Sequence, residues 1–240
     1  MMHTLVLMRH GESTANLDDA FAGWLDVPLT ATGVEQARAA GRAMRDCGLE
    51  FDICFTSVLQ RATHSAWHCL DVMDRSWLPV ERSWRLNERH YGALQGLSKA
   101  ETAARYGTEQ VRVWRRTFDT RPPALPCGDP STAHDLRYAA LLPEQLPLSE
   151  SMHDTVLRLR PLWEKYIAPQ LASGQRPLIV AHGTTLRAFA CTLGAMSGSE
   201  VEKLEVPNGA PIVYELDAQL RVQNTFFACI AVPGLGRMRE

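Results

Sequence analysis

Two apolar runs far apart in the chain end on the same dipeptide. Leu5-Val6-Leu7-Met8 leads into Arg9-His10-Gly11, and Leu178-Ile179-Val180-Ala181 leads into His182-Gly183. Continuous apolar runs of this length, closed by glycine, read as buried strands entering loops. In open parallel sheets ligands bind at the carboxyl ends of strands. Both imidazoles therefore project into one crevice if the two strands are neighbours. Gly11 and Gly183 would allow a ligand close to the backbone. Helix N-termini that follow would offer free N–H groups to an anion. The competing reading is two unrelated histidines at separate strand ends.

Cations accompany these histidines. Arg9 adjoins the first, and Arg61 falls just beyond Phe51 to Phe55, another strand-like run. Lys99 and the Arg115-Arg116 doublet come later. A phosphoryl group in transfer spreads negative charge over three oxygens, and a guanidinium fork matches them. Each charge-assisted hydrogen bond contributes about 1.5–3 kcal/mol. Any one of these arginines, taken alone, reads as readily as a solvated surface charge. Glu88, in Arg85-Leu86-Asn87-Glu88-Arg89-His90-Tyr91-Gly92, could serve as proton donor to a leaving hydroxyl and as acceptor in reverse. The alternative is a surface ion pair with Arg89.

The elements that must position these groups alternate strand and helix. Val34, Ala37, Gly41 and Met44 fall three or four apart between Thr30 and Gly48, which predicts a helix. Thr56-Ser57 is expected to open a helix running through Met73. Further helices are expected over Ser98 to Tyr106, Thr108 to Phe118, Ser151 to Leu171 and Thr184 to Gly194, with Pro161 and Pro169 kinking or ending the third. Ile212 to Leu216 and Val222 to Ala228 read as late strands. The pattern predicts an α/β architecture, a three-layer fold with a mostly parallel sheet and helices on both faces. The proline-rich stretch from Thr120 to Pro147 reads as an insertion lying over the site, because strands resume after it.

Composition excludes several classes. Among 240 residues, 45% are hydrophobic and 22% charged, which is ordinary for a globular protein and rules out a disordered or collagen-like chain. A net charge of −2 argues against a generally basic nucleic-acid binder, so a positive pocket would be local. Six cysteines without a CxxC pair read as core-lining thiols in a reducing cytosol, not as a zinc ribbon or disulfide framework. No signal segment or membrane span is read, and a cytoplasmic location is expected. His64 and His68 stand four apart, a metal-ligand spacing, but without the HExxH glutamate; packing or surface roles are expected for them. Gly234 and Gly236 match only part of a dinucleotide fingerprint, with no helix to follow.

The segment Leu5 to Ser13 followed by Asn16 resembles the Arg-His-Gly signature of the histidine phosphatase superfamily. Phe21-Ala22-Gly23-Trp24, the block LNERHYGALQGL at Leu86 to Leu97, Lys99-Ala100-Glu101-Thr102, Tyr106-Gly107 and Trp114-Arg115-Arg116 are similar to the cofactor-dependent phosphoglycerate mutases within it. So are Asp135 to Tyr138, Leu146 to Ser151, Ala181-His182-Gly183 with Leu186-Arg187-Ala188, and Tyr214-Glu215. The resemblance runs unbroken over about residues 4 to 216 and implies one mutase-like domain over 1–240, with a cap insertion at about 98–150. It implies interconversion of 3-phosphoglycerate and 2-phosphoglycerate, with His10 as the nucleophile that becomes phosphohistidine. Arg9, Arg61 and His182 would clamp the phosphoryl oxygens, and Glu88 would shuttle the proton. Ser13, Asn16, Ala22, Gly23, Tyr91, Lys99, Arg115, Arg116, Gly183 and Thr184 fall at substrate-binding positions, joined by Arg9, Arg61 and Glu88. The resemblance also implies priming by 2,3-bisphosphoglycerate, no metal, and a homodimer or homotetramer.

Some positions depart from the family pattern. Ala22 stands where Thr is usual, removing a hydroxyl contact worth about 0.5–1.5 kcal/mol. Thr184 stands where Asn is usual, Ala15 where Trp is usual, and Asn208 where Thr is usual. The tail is short and lacks the family's Lys-rich extension, and a site open to water would favour hydrolysis of phosphohistidine. Two rivals follow: a phosphate-monoester phosphatase of the same superfamily, and a catalytically silent phosphometabolite-binding paralogue.

Overall fold

Strand β1 (His3–Arg9) is central because its middle is apolar on both faces: Leu5, Val6, Leu7 and Met8 have no exposed surface. The structure, a computed structural model, describes residues 2–126, 129 and 135–228. The first helices are α1 (Thr14–Leu17) and α2 (Ala31–Asp46), followed by β2 (Ile53–Thr56), α3 (Gln60–Val72) and β3 (Val80–Arg82). Then come α4 (Lys99–Tyr106), α5 (Thr108–Arg116), α6 (Met152–Leu162), α7 (Ala168–Ala172), β4 (Pro177–Ala181), α8 (Gly183–Thr192), α9 (Gly198–Val201), β5 (Pro211–Leu216) and β6 (Val222–Phe227).

The six strands form one sheet in the order β3-β2-β4-β1-β5-β6. The first four run parallel, and β5 and β6 are antiparallel to their neighbours. Strand alternation divides the core in two. Leu5, Leu7, Phe55 and Ile179 pack with Leu159 of α6 and Phe189 of α8. Val6, Met8, Cys54 and Val180 face the other way, onto Met44 of α2 and Leu70 of α3. This is the expected three-layer α/β fold.

Several boundaries differ from the sequence reading for physical reasons. The helix expected from Thr56 begins at Gln60, because Thr56 completes β2 and donates its hydroxyl to Val180 O at 2.8 Å. The helix expected over Ser151 to Leu171 is α6, a π turn at Trp163–Ile167, and α7. The two prolines lack the N–H that a regular α ladder requires, and the wider turn lies between them. Strand β3 has no apolar alternation and was not legible. Cys54 and Cys69 are buried thiols and Cys191 is half-buried. Cys47 is instead disulfide-bonded, which corrects the expectation of reduced thiols throughout. Cys127, Cys229, Gly234 and Gly236 lie outside the described residues. No helix among the described residues is long and apolar enough to cross a membrane.

The segment expected as a cap packs beside the strand ends. Val111 of α5 joins Phe21 and Leu94 in a small cluster flanked by Tyr91 and Trp114. Its return leg is tied back where Leu125 N–H donates to Leu148 O at 3.0 Å and Ala93 N–H donates to Pro123 O at 2.8 Å.

Candidate active site

The parallel register of β1 and β4 sets Arg9 opposite Ala181, so His10 and His182 leave the sheet side by side. The N–H of His10 still donates to Ala181 O at 3.0 Å. The two rings lie 5.0 Å apart between centroids, inclined by 62°. Both are buried.

Hydrogen bonding fixes the state of the first ring. His10 Nδ1 lies 2.6 Å from Gly11 O. A carbonyl only accepts, so Nδ1 carries the hydrogen and Nε2 keeps its lone pair. Burial, with Arg61 and Arg9 adding their charges, holds the His10 pKa well below the ordinary value. The ring is neutral and nucleophilic at neutral pH. Gly11 is required here by space: a Cβ would lie 2.0 Å from Gly33 O on the incoming helix. Its N–H donates to Ser65 Oγ at 3.0 Å, and Asn208 Nδ2 donates to His10 O at 2.9 Å.

His182 is held by Ser57, whose Oγ lies 2.8 Å from Nε2. Ser57 Oγ also accepts from Leu59 N–H at 3.2 Å. In the tautomer in which the Ser57 hydroxyl donates to Nε2, the ring hydrogen sits on Nδ1, which has no hydrogen-bond partner among the described residues. Burial and the charges of Arg61, His10 and Arg9 keep this ring neutral too.

Arg61 is the second residue of α3 and is buried. Its Nη1 donates to Leu25 O and its Nη2 to Gly23 O, each at 2.7 Å. Gly23 presents that carbonyl from a left-handed turn with φ of +52°, which favours glycine. Burial lowers the Arg61 pKa to about 10, so the group stays cationic. Arg9 Nη1 donates to Val206 O at 2.8 Å while its buried Nε has no partner among the described residues. Both cations thus border the His10 ring, as their effect on its pKa requires.

Glu88 reaches the same place from the loop between β3 and α4. Its carboxylate accepts from Thr184 N–H at 3.2 Å, at the start of α8, and from Arg89 N–H at 2.8 Å. The alternative ion pair with Arg89 does not form: Arg89 Nη2 donates to Arg115 O at 3.0 Å, and its guanidinium lies over the Tyr91 ring at 4.6 Å. A buried arginine anchors the loop. Arg158 donates to Glu150, to Arg85 O at 2.7 Å and to Asn87 O at 3.1 Å, and it lies over the Trp24 ring. Trp24 Nε1 in turn donates to Glu88 O at 2.7 Å.

A cleft of about 180 Å³ opens above these groups. All of the sequence-predicted binding positions line it, and His182 backs it through the ring of His10. Ser13 and Asn16 belong to a reciprocal cap on α1, with Ser13 Oγ 3.0 Å from Asn16 Oδ1. Ala22 and Gly23 form the turn that holds Arg61. Gly183 brings the α8 backbone against the Arg9 guanidinium. Lys99 pairs with Asp19, and Arg116 pairs with Glu205 at 2.8 Å. Tyr91 is pushed up by burial, but Arg89 and Arg187 more than offset this and leave its pKa lowered. The sequence reading missed Ser57 and Arg187 as site residues. Ser57 stands at the carboxyl end of β2, the strand-end signal that marked the histidines. No cluster of three or more metal-ligating side chains is found among the described residues. His64 stacks on Trp67 at 5.1 Å between ring centroids.

Known proteins bear on this geometry. The model of the histidine phosphatase superfamily, branch 1, matches residues 5–226. A mycobacterial glucosyl-3-phosphoglycerate phosphatase solved with VO3 is similar at 25% identity, with a TM-score of 0.68, over 88% of this chain and 92% of that one. A putative alpha-ribazole-5'-P phosphatase from Escherichia coli is similar at 26% identity, with a TM-score of 0.64, over 94% of each chain. The alpha-ribazole phosphatase of Shigella flexneri is similar at 25% identity, with a TM-score of 0.65, over 98% of this chain and 100% of that one. These structural neighbours are phosphatases, so the expected likeness to mutases in particular is not carried by them. Two buried, neutral histidines at adjacent strand ends, ringed by arginines, agree with the family match: the chain belongs to branch 1 of the histidine phosphatase superfamily.

Proposed function

We propose that the chain is a phosphoglycerate mutase working through phospho-His10, primed by 2,3-bisphosphoglycerate. The observation that carries this reading is that the cleft's cations come in two groups. Arg9 and Arg61 border His10 at the strand ends. Lys99, Arg115 and Arg116 reach the cleft from α4 and α5. A mutase must hold anionic groups at both ends of its substrate, and the second group of cations suits the far end; a phosphatase acting on a phosphate ester with a second anionic group would use it in the same way.

In this account His10 Nε2 attacks phosphorus, a P–N bond forms, and the P–O bond to the substrate breaks. Glu88 gives its proton to the departing oxygen and takes one from the hydroxyl that later attacks. Arg9, Arg61 and the Nδ1–H of His182 meet the charge on the phosphoryl oxygens in a site that needs no rearrangement. The unpartnered buried Nε of Arg9 and Nδ1 of His182 are donors of the kind a phosphoryl group satisfies. When bound, 2,3-bisphosphoglycerate supplies the phosphoryl group for His10. One of its phosphates suits Arg9 and Arg61, and the other suits Lys99, Arg115 and Arg116.

A second reading, hydrolysis of phosphate monoesters, is the one the structural neighbours support better, since the three described above are named as phosphatases. The same nucleophile and acid serve it, with water as the second acceptor. Assay of 3-phosphoglycerate with and without 2,3-bisphosphoglycerate separates the two. The mutase reading expects 2-phosphoglycerate formation that rises with the bisphosphate. Release of free phosphate at a rate indifferent to it supports hydrolysis instead.

A further inference from the structure

Among the cations of the cleft, Arg187 shares with Arg9 a buried Nε that has no partner among the described residues, and Arg9 already stands beside His10. Lys99 has Asp19 and Arg116 has Glu205. Arg61 spends its guanidinium on two carbonyls, and Arg89 lies over Tyr91 and donates to Arg115 O. Arg187 stands one turn into α8 and lines the cleft, yet it makes no ion pair among the described residues. Its one side-chain hydrogen bond is from Nη2 to Thr184 Oγ1 at 3.1 Å, and its Nε is buried with no partner among the described residues. Burying a guanidinium without a counter-charge is costly, and such groups are normally paired. The nearby groups divide evenly, Tyr91 and Glu88 favouring the cation and Arg116 and Arg89 opposing it, so they leave the burial uncompensated. Burial accordingly lowers its pKa.

We infer that Arg187 binds the substrate's carboxylate. The reading rests on the proposed phosphoglycerate chemistry and adds a specificity residue to it. A guanidinium offers parallel N–H groups that fit the two oxygens of a carboxylate, and Nε–H is unused here. Thr184 has two functions in this arrangement. Its backbone N–H holds Glu88, and its hydroxyl steers Arg187 toward the same substrate. Acid and carboxylate clamp are thereby set by one residue at the start of α8.

The test compares turnover of 3-phosphoglycerate with that of p-nitrophenyl phosphate, which has no carboxylate. Arg187→Gln should lower the ratio of the two kcat/KM values by about 10- to 100-fold, the span of one charge-assisted hydrogen bond. The loss should fall mainly on KM for 3-phosphoglycerate. Arg187→Lys, which keeps the charge without the fork, should recover part of it, and it keeps the test valid if the Gln variant does not fold. Arg116→Ala is run in parallel. A ratio that both Arg187 variants leave within twofold, while Arg116→Ala lowers it, overturns the assignment of Arg187 and leaves the two-ended cleft standing. A ratio that none of the variants moves overturns the two-ended reading, and Arg187's role with it.

Discussion

Ser57 Oγ and His182 Nε2 lie 2.8 Å apart, and this contact couples the Ser57 hydroxyl to the tautomer of the ring that backs His10. Ser57→Ala removes it and lets the ring choose the other tautomer. Loss of one positioned donor to the transition state costs on the order of 10²–10³ in rate. Because Ser57 acts through His182, the expected loss is at or below the lower figure, in kcat more than in KM. Steady-state kinetics on any accepted phosphate ester checks this. An unchanged kcat means the tautomer does not matter.

Glu88 is expected to matter in proportion to how poor the leaving group is. Glu88→Gln should lower turnover of an alkyl phosphate such as 3-phosphoglycerate by about 10²–10⁴-fold. With p-nitrophenyl phosphate the departing phenolate needs little protonation, so the loss should be far smaller. Equal losses on both substrates would remove the acid role from Glu88.

The pH dependence of stability follows from three buried histidines. His10 and His182 are held well below the ordinary pKa, and His90 is lowered to about 4, by burial first and then by Arg158. In the unfolded chain each binds a proton near pH 6.5. The unfolded state therefore takes up more protons as the pH falls below that value, and the fold loses stability on that side. Each histidine contributes at most about 1.4 kcal/mol per pH unit between the unfolded and folded pKa values. Thermal midpoints should fall steadily from pH 7 to pH 5, and His90→Asn, which deletes one of the three groups, should flatten the slope. Parallel slopes for the variant and the parent would contradict this.

Arg158 and Glu150 form a buried pair under the Glu88 loop, 2.6 Å from Nε to Oε1. Removing one member of such a pair typically costs about 3–5 kcal/mol, because the other charge is stranded. Arg158→Met should lower the unfolding free energy from urea titration by that amount, and Glu150→Gln should lower it less. Both should also lower kcat, since Arg158 anchors the carbonyls on either side of the acid. Destabilisation with normal kcat in the folded fraction would confine the pair to a structural role.

How much of this was legible in the chain depended on the kind of signal. Leu5 to Met8 and Leu178 to Ala181 stand out because a strand covered on both faces must be apolar throughout. Their His-Gly ends therefore located the two histidines before any coordinates did. The start of α3 was misplaced because Thr56 and Ser57 look like a helix cap, while their hydroxyls serve Val180 O and His182. Strand β3, Val80–Arg82, carries no apolar pattern because it is the sheet's edge. Glu88 could not be told from a surface partner of Arg89 until the arginine was seen turned toward Tyr91. Arg187 lay hidden for the same reason. Spacing on a helix reveals which face a residue takes, but not whether a counter-charge meets it there.

The central claim is that His10 Nε2 takes up a phosphoryl group, and intact-mass analysis after brief incubation with 2,3-bisphosphoglycerate tests it most directly. The account predicts a gain of one phosphoryl group, labile in acid, on the parent protein and none on His10→Ala. No gain on the parent protein, or an equal gain on His10→Ala, would contradict it.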